Sequence, residues 1–145
     1  AYAHSRGVVH RDVKPANIFM IGRTQPKVLD FGIARVAQQQ QGQPEPPVDI
    51  PAGASVPPAE LGSPFYVAPE QLRGEPVDLR CDVYGVGVVL YEMLSGRRAF
   101  EGRSLEAIRR AVLEAEVAPL DSINRDVDAV LASTAVTVRR ISTAA

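Results

Sequence analysis

From residue 10 to residue 17 the chain reads His10, Arg11, Asp12, Val13, Lys14, Pro15, Ala16 and Asn17, and thirteen residues after Asn17 it reads Asp30, Phe31 and Gly32. A carboxylate, an ammonium, an amide and a second carboxylate are thus set at the ends of short apolar runs. Phosphoryl transfer asks for such a set, because the reaction needs little covalent chemistry from the protein. It needs a group to orient the acceptor hydroxyl, a cation on the migrating phosphate, and oxygen ligands for magnesium. Asp12 suits the first role, Lys14 the second, and the pair Asn17 and Asp30 the third. Gly32, directly after Phe31, lets the backbone turn sharply and aim the Asp30 carboxylate.

The elements that must hold these residues can be read from the pattern around them. Residues 1–7 read as the end of a helix, with Gly7 in the left-handed stop position. Val8 with Val9, residues 18–20, and Val28 with Leu29 read as short strands, and 22–26 as a tight turn. Between 38 and 64 the composition changes: seven of the twelve prolines lie there, and no basic residue occurs between Arg35 and Arg73. That stretch is expected to be a long loop, with too little apolar area to offset its ordering entropy. A short turn follows at 69–72, ended by Gly74. Residues 79–95 are apolar nearly all round, which predicts a helix buried on every side and stopped by Gly96. Ser104 is placed to cap a helix over 105–117, and Val127, Val130 and Leu131 give a weaker stripe.

The chain has 145 residues, 46% apolar and 23% charged, with a net charge of −1. This is the composition of one ordinary globular domain, and it carries no global positive field for nucleic acid. The single cysteine, Cys81, excludes an internal disulfide and a cysteine-based zinc cluster. No secretory leader and no apolar run of membrane-spanning length is read, so a cytoplasmic location is expected. His4 and Cys81 are assigned no role beyond surface and core filling, and the pair Arg109 and Arg110 is read as a solvated face.

Taken together, the motifs resemble the eukaryotic-type Ser/Thr protein kinases. Residues 10–17 are similar to the family's catalytic loop and 30–32 to its metal-binding motif. Residues 62–71 (Gly62, Ser63, Pro64, Phe65, Tyr66, Val67, Ala68, Pro69, Glu70, Gln71) resemble the end of its activation segment. Residues 82–87, from Asp82 to Gly87, resemble the start of the buried helix of its catalytic half. Each motif alone is weak, but the set stands in the family's order. Lys14, two residues past Asp12, has the Ser/Thr rather than the tyrosine kinase form. The bias of fourteen arginines among sixteen basic residues is that of a GC-rich, bacterial gene.

The resemblance implies a role for each matching residue. Asp12 accepts or orients the substrate hydroxyl proton, and Lys14 steadies the γ-phosphate of ATP. Asn17 and Asp30 hold Mg2+, and Phe19 touches the lower face of adenine. Arg11 pairs with a phosphorylated residue of the loop, for which Ser55 is the sole Ser/Thr candidate between Gly32 and Gly62. Ser63 lies on the substrate side, near the catalytic Asp and Lys. His10, Phe31 and Gly32 are structural. Asp82 is expected to bond catalytic-loop backbone, since a buried carboxylate must find donors. Glu70 is expected to pair with a distal arginine.

The fold implied is α+β, mainly α: the large, carboxy-terminal lobe of a protein kinase, with two small β-hairpins beside the active-site loop and without the small amino-terminal lobe. Residues 1–131 form this partial kinase domain, and 132–145 a divergent tail. No Gly-rich phosphate loop, strand lysine or helix glutamate is present, so only the lower wall of the nucleotide site remains. The expected function is transfer of the γ-phosphate of ATP to protein hydroxyls, with the isolated chain inactive or nearly so. The alternative is a non-catalytic kinase-like interaction module or gene remnant. The partners implied are ATP and a protein substrate, with no nucleic acid and no membrane segment.

Overall fold

The computed structural model describes residues 2–30 and 64–127. In chain order these form 3-10 turns at His4–Arg6 and Pro15–Asn17, strands β1 (Ile18–Ile21) and β2 (Gln25–Val28), and a 3-10 turn at Pro64–Tyr66. Helices α1 (Pro69–Arg73), α2 (Arg80–Ser95), α3 (Leu105–Glu114) and α4 (Leu120–Ile123) follow. Of the sequence expectations, Phe31, Gly32, Ser55, Ser63, nearly all of the 38–64 stretch and the 132–145 tail lie outside the described residues.

Helix α2 organises the rest. Its start is fixed by Asp78, whose carboxylate accepts from the Arg80 backbone N–H at 2.8 Å and from the Arg80 guanidinium at 3.0 Å. Those two bonds hold the Asp78 carboxyl below its ordinary range. At the other end Gly96 turns left-handed, and the Asn124 amide donates to Leu94 O at 2.8 Å, satisfying a carbonyl that the last turn leaves open. Cys81, Tyr84, Val88, Val89 and Tyr91 are buried. The helix is not buried all round, however. Leu79, Val86 and Met93, seven residues apart, are 46%, 51% and 75% exposed. The expectation of a fully enclosed helix is corrected to one with a single open apolar stripe among the described residues.

The core lies where α2 and α3 meet the Pro64–Tyr66 turn: Phe65, Ala68, Cys81, Tyr84, Val88, Phe100, Ile108 and Val112 pack together. Burying each large member stabilises the fold by roughly 1.5–3 kcal/mol. Ser104 caps α3 by accepting from the Ala107 N–H at 3.2 Å, and Glu106 sits in its first turn, beside the positive helix end. The helix ends at Glu114 rather than reaching Val117. The chain beyond is extended, which lets Val117 pack on the core and brings Ala118 O within 3.0 Å of the Tyr91 hydroxyl. Arg109 and Arg110 are exposed, as a solvated face requires, and Arg109 also donates to Leu72 O near the end of α1 at 3.2 Å. The α4 turn has no counterpart in the sequence reading; it is anchored by Leu120, which is fully buried.

Among the described residues there is one hairpin rather than two. β1 and β2 pair antiparallel, with Ile18 opposite Val28 and Ile21 opposite Gln25. The loop is therefore only Gly22, Arg23 and Thr24, with Gly22 at φ 62°. Pro26, read as part of the turn, is a strand residue opposite Met20; a sheet of two strands has an outer edge on each, where a missing N–H costs nothing. Among the described residues Val8 and Val9 join no ladder and run as irregular chain into the loop at His10.

One close approach is directly testable. A Cβ built on Gly102 would lie 2.8 Å from Ile108 Cγ1 and from Ile108 N, the backbone at the start of α3. Gly102→Ala is expected to push α3 off the core and cost about 1–3 kcal/mol. A lowered thermal midpoint checks this, with Ser104→Ala as the milder comparison at about 1 kcal/mol.

Candidate active site

The Asp82 carboxylate, in the first turn of α2, is 5% exposed and takes four donors. Oδ2 accepts from the His10 backbone N–H and from His4 Nε2, both at 2.8 Å. Oδ1 accepts from the Arg11 backbone N–H at 2.6 Å and from the Cys81 thiol at 3.6 Å. Four acceptor positions are what an ionised carboxylate offers, so the buried charge is fully compensated. The Cys81 thiol is pushed well above its ordinary range, first by burial and then by the Asp82 charge. Arg11 sits at φ 66°, a left-handed conformation costly for a residue with a side chain. Two consecutive N–H groups can converge on one carboxylate because the chain bends there. One helical turn on, Gly85 lets the loop close in: a Cβ there would lie 3.0 Å from both Val13 Cβ and Val13 O.

On that base the loop residues are arranged around Asp12. His10 is 2% exposed, and its ring uses both nitrogens: Nε2 donates to Leu29 O at 2.9 Å, and Nδ1 accepts from the Asp12 N–H at 3.2 Å. This network assigns the ring hydrogen to Nε2. Asn17 is buried, and its Nδ2 donates to Asp12 O at 2.8 Å and to Asp12 Oδ2 at 3.2 Å. Lys14 Nζ lies 2.7 Å from the same Oδ2. Both side-chain contacts of Asp12 fall on Oδ2, which leaves Oδ1 uncommitted among the described residues. Leu29 is tied twice to this loop, its N–H to Asn17 O at 2.8 Å and its carbonyl to His10. Asp30 follows directly, at φ 57°. Of the sequence-predicted set, Asp12, Lys14 and Asn17 are thus joined by one network, and Asp30 is the residue after Leu29, which that network holds. Phe19, on β1, is 53% exposed, as are Met20 (54%) and Ile21 (49%).

A second strip joins this loop from the other side. Gln71, in α1, donates from Nε2 to Arg11 O at 3.0 Å and accepts the Ala68 N–H on Oε1 at 3.1 Å. Glu70 is buried beside it, and its backbone carbonyl receives the Glu75 N–H at 2.9 Å. Just upstream, the Tyr66 hydroxyl donates to Glu92 Oε2 of α2 at 2.6 Å, and the Arg98 guanidinium lies 4.1 Å over the ring of buried Phe65. Sequence reasoning passed over Gln71, Tyr66, Glu92 and Arg98. It also left His4 without a role, whereas His4 is a ligand of the Asp82 carboxylate. Contacts that span 26 to 78 positions have no local signature.

No three His, Cys, Asp or Glu side chains cluster as a metal site among the described residues. Magnesium held mainly by substrate phosphates needs only one or two protein oxygens. Asn17 and Asp30 are of the oxygen-donor type that this demand calls for. With Nδ2 turned to Asp12, the Asn17 amide has its oxygen left to offer, and Asp30 supplies a carboxylate.

Two outcomes are expected. Asp82→Asn puts an amide against backbone donors and is expected to cost about 2–4 kcal/mol, read as a lower urea midpoint with loss of amide protection at His10 and Arg11. Tyr66 has its hydroxyl pushed up to about 12, chiefly by burial and then by the bond to Glu92, with Arg98 pulling the other way. The folded phenol holds its proton above the ordinary value of 10.0, so this stabilisation is complete below pH 10 and is lost as the pH rises towards 12. Glu92→Gln is expected to lower that titration in ultraviolet absorbance, with Tyr66→Phe identifying the signal.

Comparison with known proteins places this geometry. Residues 1–136 match the family model described as "Protein kinase domain". A probable serine/threonine-protein kinase of Corynebacterium efficiens is 41% identical over 117 residues, covering 81% of this chain and 16% of that protein. The probable kinase PknB of Bifidobacterium longum is 44% identical over 107 residues (74% and 14%), and PknB of Mycobacterium tuberculosis 38% over 134 residues (90% and 20%). The chain thus spans a fifth or less of the length of these relatives. With a family match over nearly its whole length and the loop of Asp12 seated on Asp82, the chain belongs to the protein kinase domain family.

Proposed function

We propose that this chain is the large lobe of a bacterial Ser/Thr protein kinase, and that the longer protein transfers the γ-phosphate of ATP to hydroxyls of protein substrates. The observation that carries the reading is the shared Asp12 carboxylate, with Lys14 at 2.7 Å and Asn17 at 3.2 Å on Oδ2. In this reading Oδ1 of Asp12 receives or orients the proton of the acceptor hydroxyl. Lys14, already beside that carboxylate, meets the incoming phosphoryl group with its ammonium. Asn17 and Asp30 hold Mg2+, which when bound neutralises charge on the phosphates. Phe19 and Ile21 offer exposed apolar side chains on one face of β1, with Met20 on the other, and Phe19 is assigned to the adenine ring. Arg11 is assigned to a phosphorylated loop residue, Ser55, and Ser63 to the substrate side.

In this reading the chain supplies the lower wall of the nucleotide site, and by itself it is expected to transfer phosphate weakly or not at all. No helix among the described residues is long and apolar enough to cross a membrane. The kinase reading predicts that Mg-ATP raises the thermal midpoint of the chain and that Asp30→Ala removes the shift. Joined to a small lobe, the chain is expected to phosphorylate casein, with Asp12→Asn lowering the rate about 100- to 10,000-fold. A magnesium-independent shift, or transfer unaffected by Asp12→Asn, overturns the assignment.

A further inference from the structure

Arg98, in the connection between α2 and α3, is engaged in a way the transfer chemistry does not require. Its guanidinium lies 4.1 Å over the Phe65 ring, and Phe65 is only 3% exposed. The ring holds the cation over its face, while the residue itself stays exposed. Among the described residues none of its five N–H donors makes a hydrogen bond, and no carboxylate pairs with it. The nearby acid in the strip, Glu92, has Oε2 taken by the Tyr66 hydroxyl. Arg97, also exposed, adds a second positive charge next in sequence. A flat, oriented and uncommitted fork of donors is matched by one kind of ligand: a group with two oxygens and a negative charge.

Its position says whose group that is. Phe65 and Tyr66 form the turn that runs into Ala68, and Gln71 joins Ala68 N–H to Arg11 O, the residue before Asp12. A polypeptide laid along Pro64–Tyr66 with its hydroxyl at Asp12 would bring neighbouring side chains to Arg98. We propose that Arg98 is a specificity residue that selects protein substrates carrying an oxyanion side chain, Asp, Glu or an already phosphorylated Ser or Thr, close to the acceptor hydroxyl. This rests on the kinase reading above. Stacking on Phe65 lowers the entropy lost when the anion binds, because the guanidinium is held in place beforehand.

The test is direct binding of fluorescent dodecapeptides to the 145-residue chain, without nucleotide, so that a chain unable to transfer phosphate still gives an answer. One peptide series carries Ser with Glu at each neighbouring position in turn, a second has Gln in place of Glu, and a third phosphoserine. At one register the Glu peptide is expected to bind roughly three- to tenfold more tightly than its Gln counterpart, the advantage shrinking with added salt. Arg98→Gln is expected to abolish that difference, and Arg98→Lys, which keeps charge without the planar fork, to restore part of it. Thermal melting of the Arg98 variants shows whether they remain folded. A larger effect of phosphoserine than of Glu identifies a primed substrate; equal effects identify an acidic one. An acidic preference that survives in a folded Arg98→Gln protein, a preference for basic peptides, or no binding of any peptide overturns the proposal. The first two leave the kinase reading standing, since that depends on magnesium and Asp30.

Discussion

Everything around the loop depends on one buried carboxylate. Asp82 is held by α2, the longest helix of the described residues, and it receives the backbone N–H groups of both His10 and Arg11. The bend that turns these two N–H groups to one side puts Arg11 in a left-handed conformation. Such a conformation persists where its surroundings over-determine it. Here the restraints are Asp82 on one side, Gln71 on the Arg11 carbonyl on the other, and the bare face of Gly85 against Val13. The cost of burying the charge is offset by donors that are themselves part of the loop, so helix and loop hold one another.

A second layer of constraint runs outward from the first. His10 uses one ring nitrogen to hold the N–H of Asp12 and the other to hold the carbonyl of Leu29. Asn17 returns to Asp12 with its amide and to Leu29 with its carbonyl. The end of β2 is therefore pinned to the same loop that carries Asp12, and Asp30 is the next residue. The acid, the cation and the amide are placed by short-range bonds that share atoms, and displacing one member alters the others.

How much of this was legible beforehand depended on range. Spacing within the 10–17 run and the stop signals at Gly7, Gly74 and Gly96 are local, and helix and turn boundaries read from them lie within a few residues of those observed. Asp82 could be read as a carboxylate in need of donors because its position in an apolar helix is itself a signal. Where tertiary contact decides, the sequence reading was incomplete. The uniform apolar pattern of 79–95 conceals which stripe is left open at Leu79, Val86 and Met93. Pro26 spoke for a turn, but a two-stranded ladder tolerates it on an outer edge. Polar pairs such as His4 with Asp82, Tyr66 with Glu92, and Arg98 over Phe65 join distant positions with no periodicity to betray them.

The thiol of Cys81 touches the same carboxylate and is enclosed by the same packing. Because it is the sole sulfhydryl in the chain, any alkylating reagent that modifies it must first meet a molecule in which the first turn of α2 has opened. The rate of that modification is consequently a clock for the parting of helix and loop, built into the protein without engineering.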